Sequence, residues 1–333
     1  MATKVAINGF GRIGMIAARI IAKRSDVELV AVNNTATPEM TEYLLKYDSV
    51  HGVFDEEVKL IDANTIKIGN QTVKLLSDRD PAKLDFSGCG AEVVLECTGA
   101  FLTTEKASAH LRDNIKRVVM SAPAKDDTPT YVMGVNHDQY KGEAVISNAS
   151  CTTNCLAPVT KVLNDTYGIE KGLMTTVHSY TNDQNILDVK HPKDMRRARA
   201  AAVNMIPTTT GAAKAIGLVI PELKGKLNGY SVRVPTPDVS MIDLTVTLKQ
   251  SVTKEAVNEA MEKAAAGAMK KYILVDNDMR VSSDFIGCDY SSIFVPDLTQ
   301  VVDGNMVKVV AWYDNEWGYT SRLIDMVVHV SNH

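Results

Sequence analysis

The chain reads as an α/β protein. Its first half is a doubly wound parallel sheet, joined to an α+β second half whose sheet is mostly antiparallel. Three observations lead there. Strand and helix patterns alternate up to about residue 147, and such alternation winds into a parallel sheet. A glycine-rich turn at residues 9–14 follows the first strand and opens the first helix. Beyond residue 170 apolar strands succeed one another with few helices between them, which argues for antiparallel pairing with helices on one face. The 333 residues suffice for two domains. The boundary falls near residue 149, giving segments 1–149 and 150–315 and a terminal amphipathic helix at 316–333.

Composition narrows the class. With 45% hydrophobic and 23% charged residues the chain is an ordinary globular protein, and a net charge of −4 gives no drive toward nucleic acid or anionic membrane. No apolar run approaches the roughly 18 residues of a membrane helix. The N-terminus enters a strand at once, without a signal-peptide pattern. Five cysteines, at 89, 97, 151, 155 and 288, have neither disulfide-framework nor metal-ligand spacing, so a reducing cytoplasm is expected.

In chain order, residues 4–8 form a buried strand and residues 12–23 have the 3.6 period of a helix. Between them lies Gly9-Phe10-Gly11-Arg12-Ile13-Gly14. A GxGxxG in that context is a dinucleotide fingerprint. Gly9 permits the tight turn, Gly11 lets a pyrophosphate approach the backbone, and Gly14 allows close helix–strand packing. The second strand, 29–33, normally ends in an acidic residue that bonds a ribose 2′-OH. Here Asn34 holds that place. Two readings stay open: a neutral group on the 2′-OH, or a position that tolerates a 2′-phosphate.

Thr37 and Pro38 start a helix that runs to about residue 46. Residues 58–76 alternate around two turns, as short antiparallel strands inserted in the sheet. Strands at 92–97, 117–121 and 144–147 complete the first half, with a helix at 103–111. Thr98, Gly99 and Ser121 lie at the carboxyl ends of strands, where such sheets bind ligands. Cys89, Cys97 and Cys288 read as structural, and Cys155 as a buried helix residue.

Cys151 opens a helical pattern that reaches residue 167. A cysteine in a first turn sits among unpaired backbone N–H groups at the positive end of the helix dipole, and both favour the thiolate. A small buried capping residue is the alternative. His178 is expected to end the strand 172–177, where one helix and one strand can bring it to Cys151. An imidazole there would activate the thiolate or ion-pair with it. Residues 179–204 show little periodicity but carry Lys190, His191, Lys193, Arg196, Arg197 and Arg199. A loop of that length is more often functional than idle. Thr210 and Gly211 lead into another helix, and Arg233 lies inside an apolar strand, where it calls for an anionic partner.

Seven stretches, in order, make the chain resemble phosphorylating glyceraldehyde-3-phosphate dehydrogenases over its whole length. They are INGFGRIG at 7–14, LLKYDSVHG at 44–52, SNASCTTNCLAP at 147–158, LMTTVHSYT at 173–181, RRARAAAVNMIPTTTGAAKA at 196–215, VRVPTPDVS at 232–240 and WYDNEWGY at 312–319. The resemblance implies a Rossmann domain and a catalytic domain. It also implies that glyceraldehyde 3-phosphate is oxidised with inorganic phosphate through a Cys151 thioester, with His178 as base. Thr181 and Arg233 match the substrate-phosphate site; Ser150, Thr152, Thr210 and Gly211 match the attacking-phosphate site, with Arg197 a further phosphate ligand. Gly9, Gly11, Arg12, Ile13, Gly14, Asn34, Arg79, Thr98, Gly99, Ser121 and Asn315 match the cofactor positions, Asn315 holding the nicotinamide carboxamide. NAD is the first expectation. Asn34 in place of Asp, and Lys190 at a position where NAD-specific members carry proline, favour acceptance of NADP as well. The family is homotetrameric, with the loop at 179–204 reaching a neighbour's cofactor and the terminal helix returning to the first domain. The rivals are an erythrose-4-phosphate dehydrogenase and a non-catalytic binding protein on the same fold.

Overall fold

The computed structural model describes residues 2–192 and 194–333; Lys193 of the charged loop lies outside the described residues. The chain divides into two compact units, one holding 2–133, 137–150 and 320–333, the other 134–136 and 151–319.

The first unit is built on β1 (Thr3–Asn8), α1 (Arg12–Ala22), β2 (Val27–Asn33) and α2 (Pro38–Lys46). A two-strand ribbon follows, β3 (Tyr47–Asp48) and β4 (Gly52–Val53), then β5 (Val58–Asp62), β6 (Thr65–Ile68) and β7 (Gln71–Leu76). Next come β8 (Val93–Glu96), the short α3 (Thr104–Ala107), β9 (Arg117–Met120) and β10 (Val145–Ser147). Eight strands form one sheet in the order β10-β9-β8-β1-β2-β7-β6-β5. Pairing is parallel from β10 to β7 and antiparallel from β7 to β5, so the inserted strands extend one edge. The chain leaves β1 toward β2 on one side and returns to β8 on the other. That is the switch point at which doubly wound sheets open a crevice.

Local chemistry explains the elements. Residues of β1 and β2 are buried almost throughout, as strands covered on both faces must be. Thr37 caps α2 by accepting from the Met40 N–H, with Pro38 at the first helical position. The helix expected at 103–111 is shorter: one α-turn passes into a 3₁₀ turn at Ser108–His110. The Ser108 hydroxyl donates to the Thr104 carbonyl (2.6 Å), a back-bond of the kind that bends a helix and slightly destabilises it. Residues of the C-terminal segment tie into this unit through Arg24–Asp325 (2.6 Å) and Thr3–Ser331 (2.6 Å).

The second unit begins with α4 (Cys151–Tyr167) and β11 (Ile169–Ser179), then β12 (Ile206–Thr209), α5 (Ala212–Val219), β13 (Leu227–Val234) and β14 (Ser240–Leu248). It continues with α6 (Lys254–Ala266), β15 (Ile273–Val275), β16 (Ser292–Phe294), β17 (Gln300–Val302), β18 (Met306–Tyr313) and α7 (Trp317–Ser331), whose later turns belong to the first unit. The sheet order is β12-β13-β11-β14-β18-β16-β15, with β17 on β18. Five pairings are antiparallel, and β11–β13 and β15–β16 are parallel. Along β14 fully buried and half-buried residues alternate strictly, the period of a strand with one covered face. α4, α5 and α6 supply the cover. Among the described residues no helix is long and apolar enough to cross a membrane.

Candidate active site and cofactor cleft

In the second unit, β11 extends two residues past its expected end, so His178 lies inside the strand. Cys151 is the first residue of α4. Its Sγ stands 3.6 Å from His178 Nε2. The alternative of a mere capping residue does not account for that approach. The first turn of α4 and the Arg233 charge do favour the thiolate, as do the Thr152 hydroxyl and the N–H groups of Cys151 and Thr152. Burial outweighs them and pushes the Cys151 thiol up. The helix start and the desolvation of the sulfur thus act on this thiol in opposite directions. His178 moves the other way. Burial, reinforced by the Arg233 charge, lowers its pKa to about 3.

The ring is held from several sides. His178 Nδ1 lies 2.7 Å from the Ser179 carbonyl, and the Tyr313 ring stands edge-on at 5.9 Å. Tyr313 is buried, and its hydroxyl lies 2.9 Å from both Thr152 Oγ1 and Thr176 Oγ1. The Thr152 hydroxyl is thus occupied inside the protein. Tyr313 and Thr176 were not legible as site residues, because only the strand pairings beyond α4 bring them to Cys151. Their one signal was hydroxyls within apolar strands.

Arg233 is the register partner of His178 across β11–β13. No carboxylate pairs with it among the described residues. Arg197, by contrast, is held by Asp183 and donates to Thr208 Oγ1 (2.8 Å) and the Thr209 carbonyl (3.2 Å). Thr181 opens the turn closed by Gln184 N–H on its carbonyl (2.9 Å). Thr210 Oγ1 accepts from Ala212 N–H (3.2 Å) at the start of α5, after the exposed Gly211. Asn315 is buried; its side-chain oxygen accepts from Ser240 Oγ (2.6 Å), which leaves its NH₂ group as the donor available to a ligand. Asp314, beside Asn315 in sequence, and Asp238, two residues before Ser240, are both buried, and burial with the Asp314 charge raises the Asp238 carboxyl to about 9.

In the first unit a cleft of about 480 Å³ opens at the switch point. It brings together Gly9, Gly11, Asn34, Arg79 and Thr98 of the expected positions. Arg12, Ile13 and Gly14 form the first turn of α1; Gly99 and Ser121 follow β8 and β9. The glycines fit a dinucleotide. Gly9 has φ +93°, and a Cβ there would meet Thr98 N at 2.7 Å. A Cβ on Gly14 would lie 2.2 Å from the Gly9 carbonyl oxygen, whereas nothing of the protein stands within 4 Å of one on Gly11. The Gly11 side is thus an open cradle in front of a helix start that no side chain caps. Arg12 is ion-paired with Asp48. The Asn34 amide is committed to its own turn, donating to Thr41 Oγ1 (2.9 Å) and accepting from Ala36 N–H (3.3 Å).

Beneath the cleft runs a polar chain that the sequence did not disclose. Asn33 donates to Asn8 Oδ1 (2.8 Å), and Asn8 donates to Glu96 Oε2 (2.6 Å). Glu96 also meets His110 Nε2 (3.0 Å) and accepts from Thr98 N–H (2.8 Å). Glu96 and His110 are completely buried.

Comparison with known proteins agrees with this layout. Residues 3–104 match the family model for the glyceraldehyde 3-phosphate dehydrogenase NAD binding domain, and residues 150–315 match that for the C-terminal domain. The chain is 52% identical over 332 residues to glyceraldehyde-3-phosphate dehydrogenase 1 of Bacillus cereus, covering 99% of each chain. It is 52% identical over 334 residues to glyceraldehyde-3-phosphate dehydrogenase of Geobacillus stearothermophilus, covering 100% of this chain and 99% of the relative. With the enzyme of that name from Salmonella typhimurium it shares 48% over 331 residues, 99% of this chain and 100% of the other.

Proposed function

The chain belongs to the glyceraldehyde-3-phosphate dehydrogenase family, and from that premise we propose that it oxidises glyceraldehyde 3-phosphate with inorganic phosphate to an acyl phosphate. The observation that carries the reading is Sγ of Cys151 at 3.6 Å from Nε2 of His178. His178 accepts the thiol proton as the sulfur attacks the aldehyde carbon, which avoids a free buried thiolate. The alkoxide that forms is met by the Cys151 N–H and by the proton now on Nε2. His178 next takes the hydroxyl proton of the thiohemiacetal. NAD would supply the hydride acceptor when bound, the Gly9–Gly14 turn and Thr98 being the residues of the first unit that would hold it, and the family resemblance gives Asn315 the nicotinamide carboxamide. Inorganic phosphate then attacks the thioester carbon and the sulfur leaves. Arg233 and Thr181 take the substrate phosphate; Ser150, Thr152, Arg197, Thr210 and Gly211 take the attacking one.

Two finer points belong to the same proposal. Asn34 carries no charge to repel a 2′-phosphate, and the exposed Arg79 lines the same cleft, so NADP is accepted beside NAD, with Lys190 as a further cation. The enzyme works as a homotetramer in the cytoplasm. Supporting this, Ile186, Leu187, Met195, Val203 and Met205 are each at least three-quarters exposed along 179–205, more apolar surface than a lone soluble chain commonly shows. The test is phosphate-dependent reduction of each cofactor by glyceraldehyde 3-phosphate, with Cys151→Ser expected to lose at least about 10⁴-fold in kcat. Turnover that ignores phosphate or survives the substitution sinks the mechanism. An NAD preference above about 10³-fold, roughly 4 kcal/mol, removes the NADP reading.

A further inference from the structure

At the amino ends of β1, β8 and β9 the first unit holds a second cavity, of about 680 Å³ against about 480 Å³ for the cofactor cleft at the carboxyl ends of β1 and β8. Lys4, Glu92, Asn114, Lys116, Arg117 and Ser331 are among the residues that line it. The sheet gathers them. Val5 is the register partner of Val93, and Val93 of Arg117. One residue before, the Glu92 N–H donates to the Lys4 carbonyl (2.8 Å) and the Lys116 N–H to the Glu92 carbonyl (3.0 Å). The strand pairing thus sets Lys4, Glu92 and Lys116 abreast, with Arg117 next to them. Three cations and one carboxylate line one space, a balance of two positive charges.

None of these cations is ion-paired among the described residues. Lys116 Nζ donates to the Asp113 carbonyl, Arg117 Nη1 donates to the Lys116 carbonyl (3.0 Å), and Arg117 Nε is shielded from water without a partner. The Glu92 carboxylate is already engaged, accepting from the backbone N–H of Lys4 (3.2 Å). Ser331 is a wall: its hydroxyl donates to the Val328 carbonyl (3.0 Å) and lies 2.6 Å from Thr3 Oγ1. Lysines on a convex surface are simply solvated, but a concave site lined by one sign of charge concentrates the field and draws in counter-ions. The volume suits a small molecule. No aromatic ring lines the cavity, so it offers no platform for a nucleobase. We propose that this cavity binds a small, base-free anion carrying two phosphoryl groups, a diphosphate or a sugar bisphosphate. The Arg117 fork takes phosphoryl oxygens in pairs, and the two ammonium groups meet the second phosphoryl group as point charges. The site is separate from both phosphate positions of the proposed reaction.

Two measurements on the full-length protein, with inorganic pyrophosphate as the probe, test this. The first is acylation of lysines by acetic anhydride, read residue by residue in a mass spectrometer. Pyrophosphate should protect Lys4 and Lys116 in a saturable way and leave the exposed Lys59 unchanged, while potassium chloride at equal ionic strength protects none of them. Protection that follows ionic strength alone, or that extends equally to Lys59, overturns the proposal. The second is calorimetric titration in an Arg233→Met background, which removes the contribution of the proposed substrate-phosphate site. There Lys4→Met and Arg117→Met should each weaken pyrophosphate binding at least about tenfold, the loss of one charge-assisted hydrogen bond. Lys4 is exposed, so its variant keeps the fold even if Arg117→Met does not, and an unchanged affinity in Lys4→Met refutes the site. Citrate binding more tightly than pyrophosphate would overturn the phosphoryl assignment. Neither readout needs turnover, so a failure of the proposed dehydrogenase reaction leaves this result standing on its own.

Discussion

Two buried histidines, one in each unit, are set in opposite surroundings. His110 has a carboxylate at 3.0 Å, and the same carboxylate collects Asn8 and Thr98. His178 has no carboxylate, but a thiol on one nitrogen and a guanidinium on the other. The first arrangement fixes a floor beneath a cleft: Glu96 is saturated with donors, and nothing there is left to react. The second leaves a ring whose pKa burial and the Arg233 charge depress, with a thiol within reach of Nε2. Burial alone therefore does not mark a catalytic histidine; the charge placed behind it does.

Substitutions should separate the two. The largest effect is expected for His178→Asn, a loss of about 10²–10⁴-fold in kcat with little change in stability, read by steady-state assay and urea unfolding. His110→Asn should do the reverse. Leaving Glu96 short of a partner should cost about 2–3 kcal/mol in urea unfolding, with the rate of Cys151 alkylation by iodoacetamide unaltered. If His110→Asn slows alkylation tenfold while the fold holds, the contrast fails.

The pH dependence sharpens it further. The folded pKa of His178 is depressed to about 3 against about 6.5 in the unfolded chain. Between those values the unfolded chain binds a proton that the native one does not. Stability from this group is thus present above pH 6.5 and lost as pH falls toward 3, with a limiting slope of about 1.4 kcal/mol per pH unit. Relative to His178→Asn, the wild type should weaken across that window in urea titrations. A parallel pair of curves would mean that the imidazole is solvated. The smallest effect belongs to Tyr313→Phe, which strips Thr152 and Thr176 of a shared partner. About 1–2 kcal/mol of stability should go, with less than a tenfold change in kcat.

How much of this was legible follows from sequence distance. The Gly9–Gly14 turn, the Thr37 cap and the alternation of β14 are local patterns, and each formed as its residues dictate. Cys151 and His178 were found because one helix and one strand join them. The Asn8–Glu96 link and the Tyr313 hydroxyl could not be found, since each depends on strands meeting across long stretches of chain. The desolvation at Cys151 escaped for another reason. A helix start is visible in sequence, but the burial that works against it is a property of everything packed around the sulfur.

The parallel pairing of β11 with β13 has a kinetic consequence. Parallel neighbours need a crossover, and here it comprises the whole stretch 180–226, including β12 and α5. Closing a connection of that length is slow compared with forming a helix or a hairpin. His178 and Arg233 therefore meet only after the crossover has docked. A newly made chain can hold Cys151 of α4 beside His178 of β11 and still lack the Arg233 guanidinium until that ladder zips.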